Sequence, residues 1–129
     1  EYTLASAHEK LSDIYLSKYS INLDYIEKIL VPFIYELSKS NCYNVIVFDE
    51  IGRMQNMSPF FLSAIDRLMK CKSPIVATIV YDDEPWSRKH KESEKNLIIQ
   101  VTQKNRDSLA YEVIDIVNSL KDKNCKSAR

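Results

Sequence analysis

The sequence predicts an α/β fold, a parallel sheet sandwiched by helices, and three observations carry that prediction. Short, wholly apolar and largely β-branched runs, "NVIVF" at 44–48, "SPIVATIVY" at 73–81 and "NLIIQVT" at 96–102, read as strands buried on both faces. Stretches with helical apolar spacing alternate with them, giving β-α-β-α-β-α after a first helix. The length, 129 residues, suits one domain, 1–129, with a single core.

Taken in order, residues 2–6 alternate enough for a short strand, and a polar turn region follows. From Asn22 onward Leu23, Ile26, Ile29, Leu30, Phe33, Ile34 and Leu37 recur at helical spacing, with Asn22 or Asp24 available as the cap. Pro32 lies inside that helix and removes an internal hydrogen bond, so a kink or break is expected near Leu30. "SNCYN" reads as loop before the strand at 44–48. Ser58 is placed to cap a helix whose first turn holds Pro59, with Phe61, Ile65, Leu68 and Met69 facing inward. The polar run at 82–95, basic in its centre, reads as a loop. A last helix, about 105–120, sets Leu109, Val113, Ile116, Val117 and Leu120 on one face, and residues 121–129 trail off as a frayed tail.

Composition narrows the class. Eighteen basic residues offset eighteen acidic ones, so no net field drives the chain toward nucleic acid or an anionic membrane; a local basic patch keeps nucleic acid open without indicating it. No apolar run approaches the roughly 20 residues of a membrane helix. Cys42, Cys71 and Cys125 form neither a CxxC pair nor a zinc spacing, and the expected compartment is cytoplasmic. The first residue is Glu1.

The chemistry concentrates at "VIVFDEIG", where a buried-looking strand ends in Asp49 and Glu50. Ligands of open α/β sheets bind beyond the carboxyl ends of the strands, which is where these acids fall. Strand alternation sends the two side chains to opposite faces, so one can reach a metal-bound water and the other a second water. That division suits phosphoanhydride hydrolysis: magnesium keeps most of its waters and takes one carboxylate as anchor, and attack on a γ-phosphoryl needs a positioned water. Asp49 suits the first role and Glu50 the second. Gly52 permits a sharp turn and a close approach of backbone to phosphate. The alternative is plain: acids at a strand end often face water or cap a turn.

"VIVFDEIGRMQNMSPFFLSAIDRLM", "PIVATIV" and "VTQKNRDSL", with "YLSKYSINLDYIEKILVPFI" before them, resemble the P-loop nucleoside-triphosphatases of the thermophilic type, a family that includes the human cancer-related nucleoside-triphosphatase. That resemblance spans nearly the whole chain. It implies a P-loop NTPase-like fold, Mg2+ as cofactor, a nucleoside triphosphate (ATP or GTP) as substrate, Asp49 and Glu50 as a Walker B pair, and a basic flap at Arg88 to Lys91. Arg53 stands where the family has lysine, either as a cation for phosphate charge or as one half of an ion pair. Asn105 and Arg106 fall where related folds hold the base, with helix capping and local ion pairing as the alternatives. Thr78 is assigned to packing rather than to sensing phosphate, His90 to an exposed loop, and Trp86 to packing.

The family's first strand and its G-x-x-x-x-G-K-S/T loop have no counterpart here. The chain holds 1 glycine, against about nine expected at average usage, too few for a phosphate cradle. Either this is the C-terminal part of a P-loop domain, truncated before the first strand and P-loop, or the loop is lost. Three functions stay open: a hydrolase, a nucleotide or nucleic-acid kinase on the same fold, and a non-catalytic interaction module. The adjacent Glu50 tilts the first two toward water as acceptor.

Overall fold

Ser20 and Ser12 organise the start of the chain. The computed structural model describes residues 3–39 and 43–127, with side chains as far as Lys121. In it three short strands, β1 (Ala5–Ser6), β2 (Tyr15–Leu16) and β3 (Tyr19–Ile21), form an antiparallel sheet in the order β1-β3-β2. Ser17, at φ 55, takes the left-handed conformation that a two-residue hairpin turn demands. The fully buried Ser20 Oγ accepts from the amides of Leu11 (2.9 Å) and Ser12 (3.0 Å), satisfying backbone that the sheet leaves unpaired. The β2–β3 hairpin has no counterpart in the sequence expectation, and of the expected first strand Tyr2 lies outside the described residues.

The first long helix begins as α1 (Leu23–Tyr25), capped by the Asn22 side chain, which accepts from the Tyr25 amide at 3.0 Å. It widens into a π-helical turn (Ile26–Leu30) and continues as α2 (Val31–Lys39). The Val31 amide donates to the Ile26 carbonyl five residues back. Pro32 supplies the reason, since it has no N–H and its ring crowds a carbonyl one turn earlier. The break expected near Leu30 is this π turn.

Helix α3 (Pro59–Leu68) starts as the sequence indicates: Ser58 Oγ accepts from the Phe61 amide (3.2 Å) and Pro59 fills the first turn. The same hydroxyl donates to Glu27 Oε1 at 2.8 Å, which ties α3 to the π turn. Phe61, Ala64, Ile65 and Leu68 pack with Ile26, Ile34, Ile46 and Ile51 in one core between these helices and the parallel sheet. Met69 is only half-buried.

The sheet itself pairs β4 (Ile46–Ile51) with β5 (Ile75–Ile79) in parallel, Ile46 opposite Ile75 and Phe48 opposite Ala77. Val113 and Val117 of helix α5 (Arg106–Ser127) line a groove together with Val47 and Val76 of the sheet. A parallel sheet between helical layers is therefore the observed architecture, in agreement with the predicted class.

Three expectations are corrected. Residues 96–102 are extended but belong to no strand; Leu97, at 69% exposure, and Val101, at 62%, are open to solvent. Apolar composition supplies the faces of a strand but not its ladder, and no neighbouring strand among the described residues offers one. The polar run at 82–95 contains helix α4 (Pro85–Lys91), opened by Pro85 and secured by the buried Ser87, whose Oγ donates to the carbonyls of Asp82 and Glu84. The tail at 121–127 continues α5 rather than fraying. Cys42 lies outside the described residues, as do residues 40–41 of the expected loop, and Cys71 is a free thiol. No helix among the described residues is long and apolar enough to cross a membrane.

Candidate functional site

Both acids of the motif emerge at the carboxyl end of β4 with exposed side chains, flanked by the buried Ile46 and Ile51 that anchor the strand. Their setting differs from simple alternation. The register steps from Phe48 opposite Ala77 to Ile51 opposite Ile79, so Asp49 and Glu50 together face the single residue Thr78. That is a β-bulge, a device that re-aims side chains at strand ends. The peptide bond between the two acids is cis.

Thr78, expected to pack in a buried strand, is exposed, and its Oγ1 donates to Asp49 Oδ1 at 2.8 Å. Among the described residues nothing covers Thr78 at this end of β5, and its hydroxyl faces the carboxylate across the bulge.

Glu50 lines an open cleft of roughly 380 Å3 with Gly52, Arg53, Met54, Tyr81 and Asp82, closed on one side by Leu16 from the N-terminal sheet. Gly52 is required for a different reason from a turn. Its φ is not in the left-handed region, but a Cβ here would lie 2.7 Å from Glu50 Oε1 and 3.2 Å from Gln55 Oε1. The glycine gives the Glu50 carboxylate room to lie against the backbone, and Gln55 Oε1 accepts from the Gly52 amide at 3.2 Å.

Arg53 is ion-paired with Asp82, which follows β5 in the chain, and both remain about half exposed. The mouth is held by α4: Lys91 Nζ donates to the carbonyls of Tyr81 (2.7 Å) and Asp82 (3.1 Å). On its other side α4 docks on Asp66 of α3, whose carboxylate accepts from Trp86 Nε1 (2.8 Å), His90 Nε2 (2.8 Å) and Lys89 Nζ (3.0 Å). Residues 86, 89 and 90 share one helical face, so a single carboxylate can collect all three. Burial pushes the Asp66 pKa up, but the hydrogen bonds from Lys89, His90 and Trp86 and the Lys89 charge outweigh it and hold the group below its ordinary 3.8. His90 is thus an anchored helix residue with a largely buried ring, tilted against that of Trp86 at a centroid distance of 4.3 Å, not an exposed loop histidine. The basic run at Arg88 to Lys91 lies on a helix tethered to α3.

Asn105 and Arg106 stand apart from this cluster at the start of α5. The Asn105 side chain reaches back into the preceding loop, accepting from the Thr102 amide (2.7 Å) and donating to the Gln100 carbonyl (2.9 Å), while its own carbonyl accepts from Ser108 and Leu109 to open the helix. Arg106 Nε pairs with Asp107 at 3.4 Å on the surface. Neither shares a hydrogen bond or ion pair with Asp49, Glu50 or Arg53.

The donors at the end of β4 are carboxylate and hydroxyl oxygens, with no thiol or imidazole among the residues that line the cleft. No group of three His, Cys, Asp or Glu side chains among the described residues forms a metal cage. Such a set fits a hard ion that keeps most of its waters and is shared with substrate phosphates, as magnesium is.

Thr78, Gln55 and Asp82 were not legible as site residues, since each acts through a contact across strands or a turn. A threonine inside an otherwise aliphatic strand, opposite an acid pair, is the only trace that Thr78 leaves in the sequence.

Comparison with known proteins gives the family. Nucleoside-triphosphatase THEP1 of Thermotoga petrophila is 28% identical over 102 residues, covering 79% of this chain and 56% of that protein. THEP1 of Aquifex aeolicus is 26% identical over 107 residues and 60% of its length. The crystal structure of THEP1 from Aquifex aeolicus matches 88% of this chain and 69% of its own at a TM-score of 0.73 and 25% identity. The chain therefore spans 56% and 60% of the length of these two curated relatives. A family model described as NTPase matches residues 1–114, most of the chain from its first residue through the first turns of α5, and the chain belongs to that NTPase family.

Proposed function

We propose that this chain carries the metal-anchoring and water-orienting part of a magnesium-dependent nucleoside-triphosphatase that converts a nucleoside triphosphate to the diphosphate and phosphate. The observation that carries the proposal is the exposed Asp49–Glu50 pair on a bulge at the carboxyl end of β4, beside an open cleft, in a chain of the NTPase family. Asp49 and Glu50 act as the Walker B pair. When bound, Mg2+ supplies neutralisation of the phosphate oxygens as charge develops on them. Asp49 would hold the ion, a role for which one carboxylate suffices. Glu50, given room by Gly52, orients the attacking water and accepts its proton. Arg53, kept in the cleft wall by Asp82, adds positive charge beside the transferred group. Arg106, exposed at the start of α5, is the remaining candidate for contact with the base, of ATP or GTP alike; Asn105 supports the loop that precedes it.

The test is Glu50→Gln in the full-length protein. Loss of an oriented base lowers steady-state phosphate release by about 100-fold or more, while nucleotide affinity stays within about threefold. Unchanged phosphate release would remove Glu50 from the mechanism. Transfer of the γ-phosphoryl to a nucleoside or nucleic-acid end instead of water would replace the hydrolase with a kinase.

A further inference from the structure

We infer that Thr78 is a positioning residue for the metal site, acting through Asp49. The bulge leaves Thr78 as the one β5 residue opposite the acid pair, and its hydroxyl donates to Asp49 Oδ1 at 2.8 Å. Oδ2 of the same carboxylate has no protein partner among the described residues and is exposed. One oxygen is thus held and the other presented. The holder is well suited: a β-branched side chain has few χ1 choices, and a strand is a rigid base for it. Without the bond the Asp49 carboxylate rotates about its own χ angles in solvent, and each ligand it offers must first be ordered. Outer partners of this kind typically alter metal affinity 10–100-fold when removed.

The inference rests on the assignment of Asp49 to the metal, and its test keeps the two apart. Mn2+ affinity is measured by electron paramagnetic resonance on the full-length protein saturated with a non-hydrolysable triphosphate analogue, for wild type, Thr78→Val and Thr78→Ser. Valine keeps shape and strand preference but removes the hydroxyl, and serine keeps the hydroxyl. Thr78→Val weakens Mn2+ binding about tenfold and raises the Mg2+ concentration for half-maximal hydrolysis by a similar factor, with kcat at saturating Mg2+ within about threefold. Thr78→Ser stays within about twofold of wild type. Equal Mn2+ affinity in wild type and Thr78→Val overturns the inference and leaves Asp49 its role. A lowered melting temperature with unchanged affinity also overturns it, by assigning Thr78 to strand stability. Failure of Asp49→Asn to alter Mn2+ affinity overturns the assignment of Asp49, and the inference falls with it.

Discussion

Gly52→Ala separates the site's geometry from the fold's stability in one substitution. The added Cβ meets Glu50 Oε1 at 2.7 Å, and recovering an ordinary contact of 3.4 Å displaces that carboxylate by about 0.7 Å. The atom displaced is the end of a flexible side chain, so rotation relieves the clash at little cost to the fold. The backbone is no obstacle, because Gly52 lies outside the left-handed region and alanine there loses less chain entropy on folding, a gain of about 0.4–1 kcal/mol. A catalytic group misplaced by about 1 Å can lower rates 100-fold, so the expectation is a kcat reduced about 10- to 100-fold, with a melting temperature equal to wild type or slightly higher. Phosphate release at saturating nucleotide and thermal unfolding of the same preparations provide the two readings. An alanine variant with wild-type kcat would refute the claim that Gly52 exists to make room for Glu50.

Two further outcomes concern stability. Ser58→Ala removes the helix cap on α3 at a fully buried position and leaves the half-buried Glu27 carboxylate without its donor, which costs about 2 kcal/mol in urea unfolding; a change below 0.5 kcal/mol would show that Ser58 holds nothing together. Asp66 is held below its ordinary pKa of 3.8 in the folded state, so its contribution is complete above that value and disappears as pH falls through the lower folded one. The stability gap between wild type and Asp66→Asn is therefore constant over pH 5 to 6 with respect to Asp66 and narrows below pH 3.8; a gap that widens on acidification would contradict the hub.

Features governed by local chemistry were readable from the chain. Asn22 and Ser58 sit directly before their helices and cap them, Pro32 cannot continue a hydrogen-bond ladder and the helix widens at that point, and the acids follow a β-branched run to its end. What escaped depends on partners distant in sequence. Residues 96–102 have the composition of a buried strand, but pairing is a property of the neighbour, and none is present among the described residues. The run at 82–95 is polar enough for a loop, and the anchor for the helix at its centre, the Asp66 carboxylate on α3, lies 20 to 24 residues earlier in the chain. Thr78 looked like packing because its hydroxyl's partner is 29 residues away across a bulge that periodicity does not announce.

Side-by-side titration of Asp49→Asn and Glu50→Gln with a fluorescent nucleoside triphosphate, with and without Mg2+, tests the division of labour most directly. Glu50→Gln is expected to bind nucleotide with a normal Mg2+ dependence without turning it over, whereas Asp49→Asn loses most of that dependence. Two variants that behave alike, or a Mg2+ dependence untouched in Asp49→Asn, would contradict it.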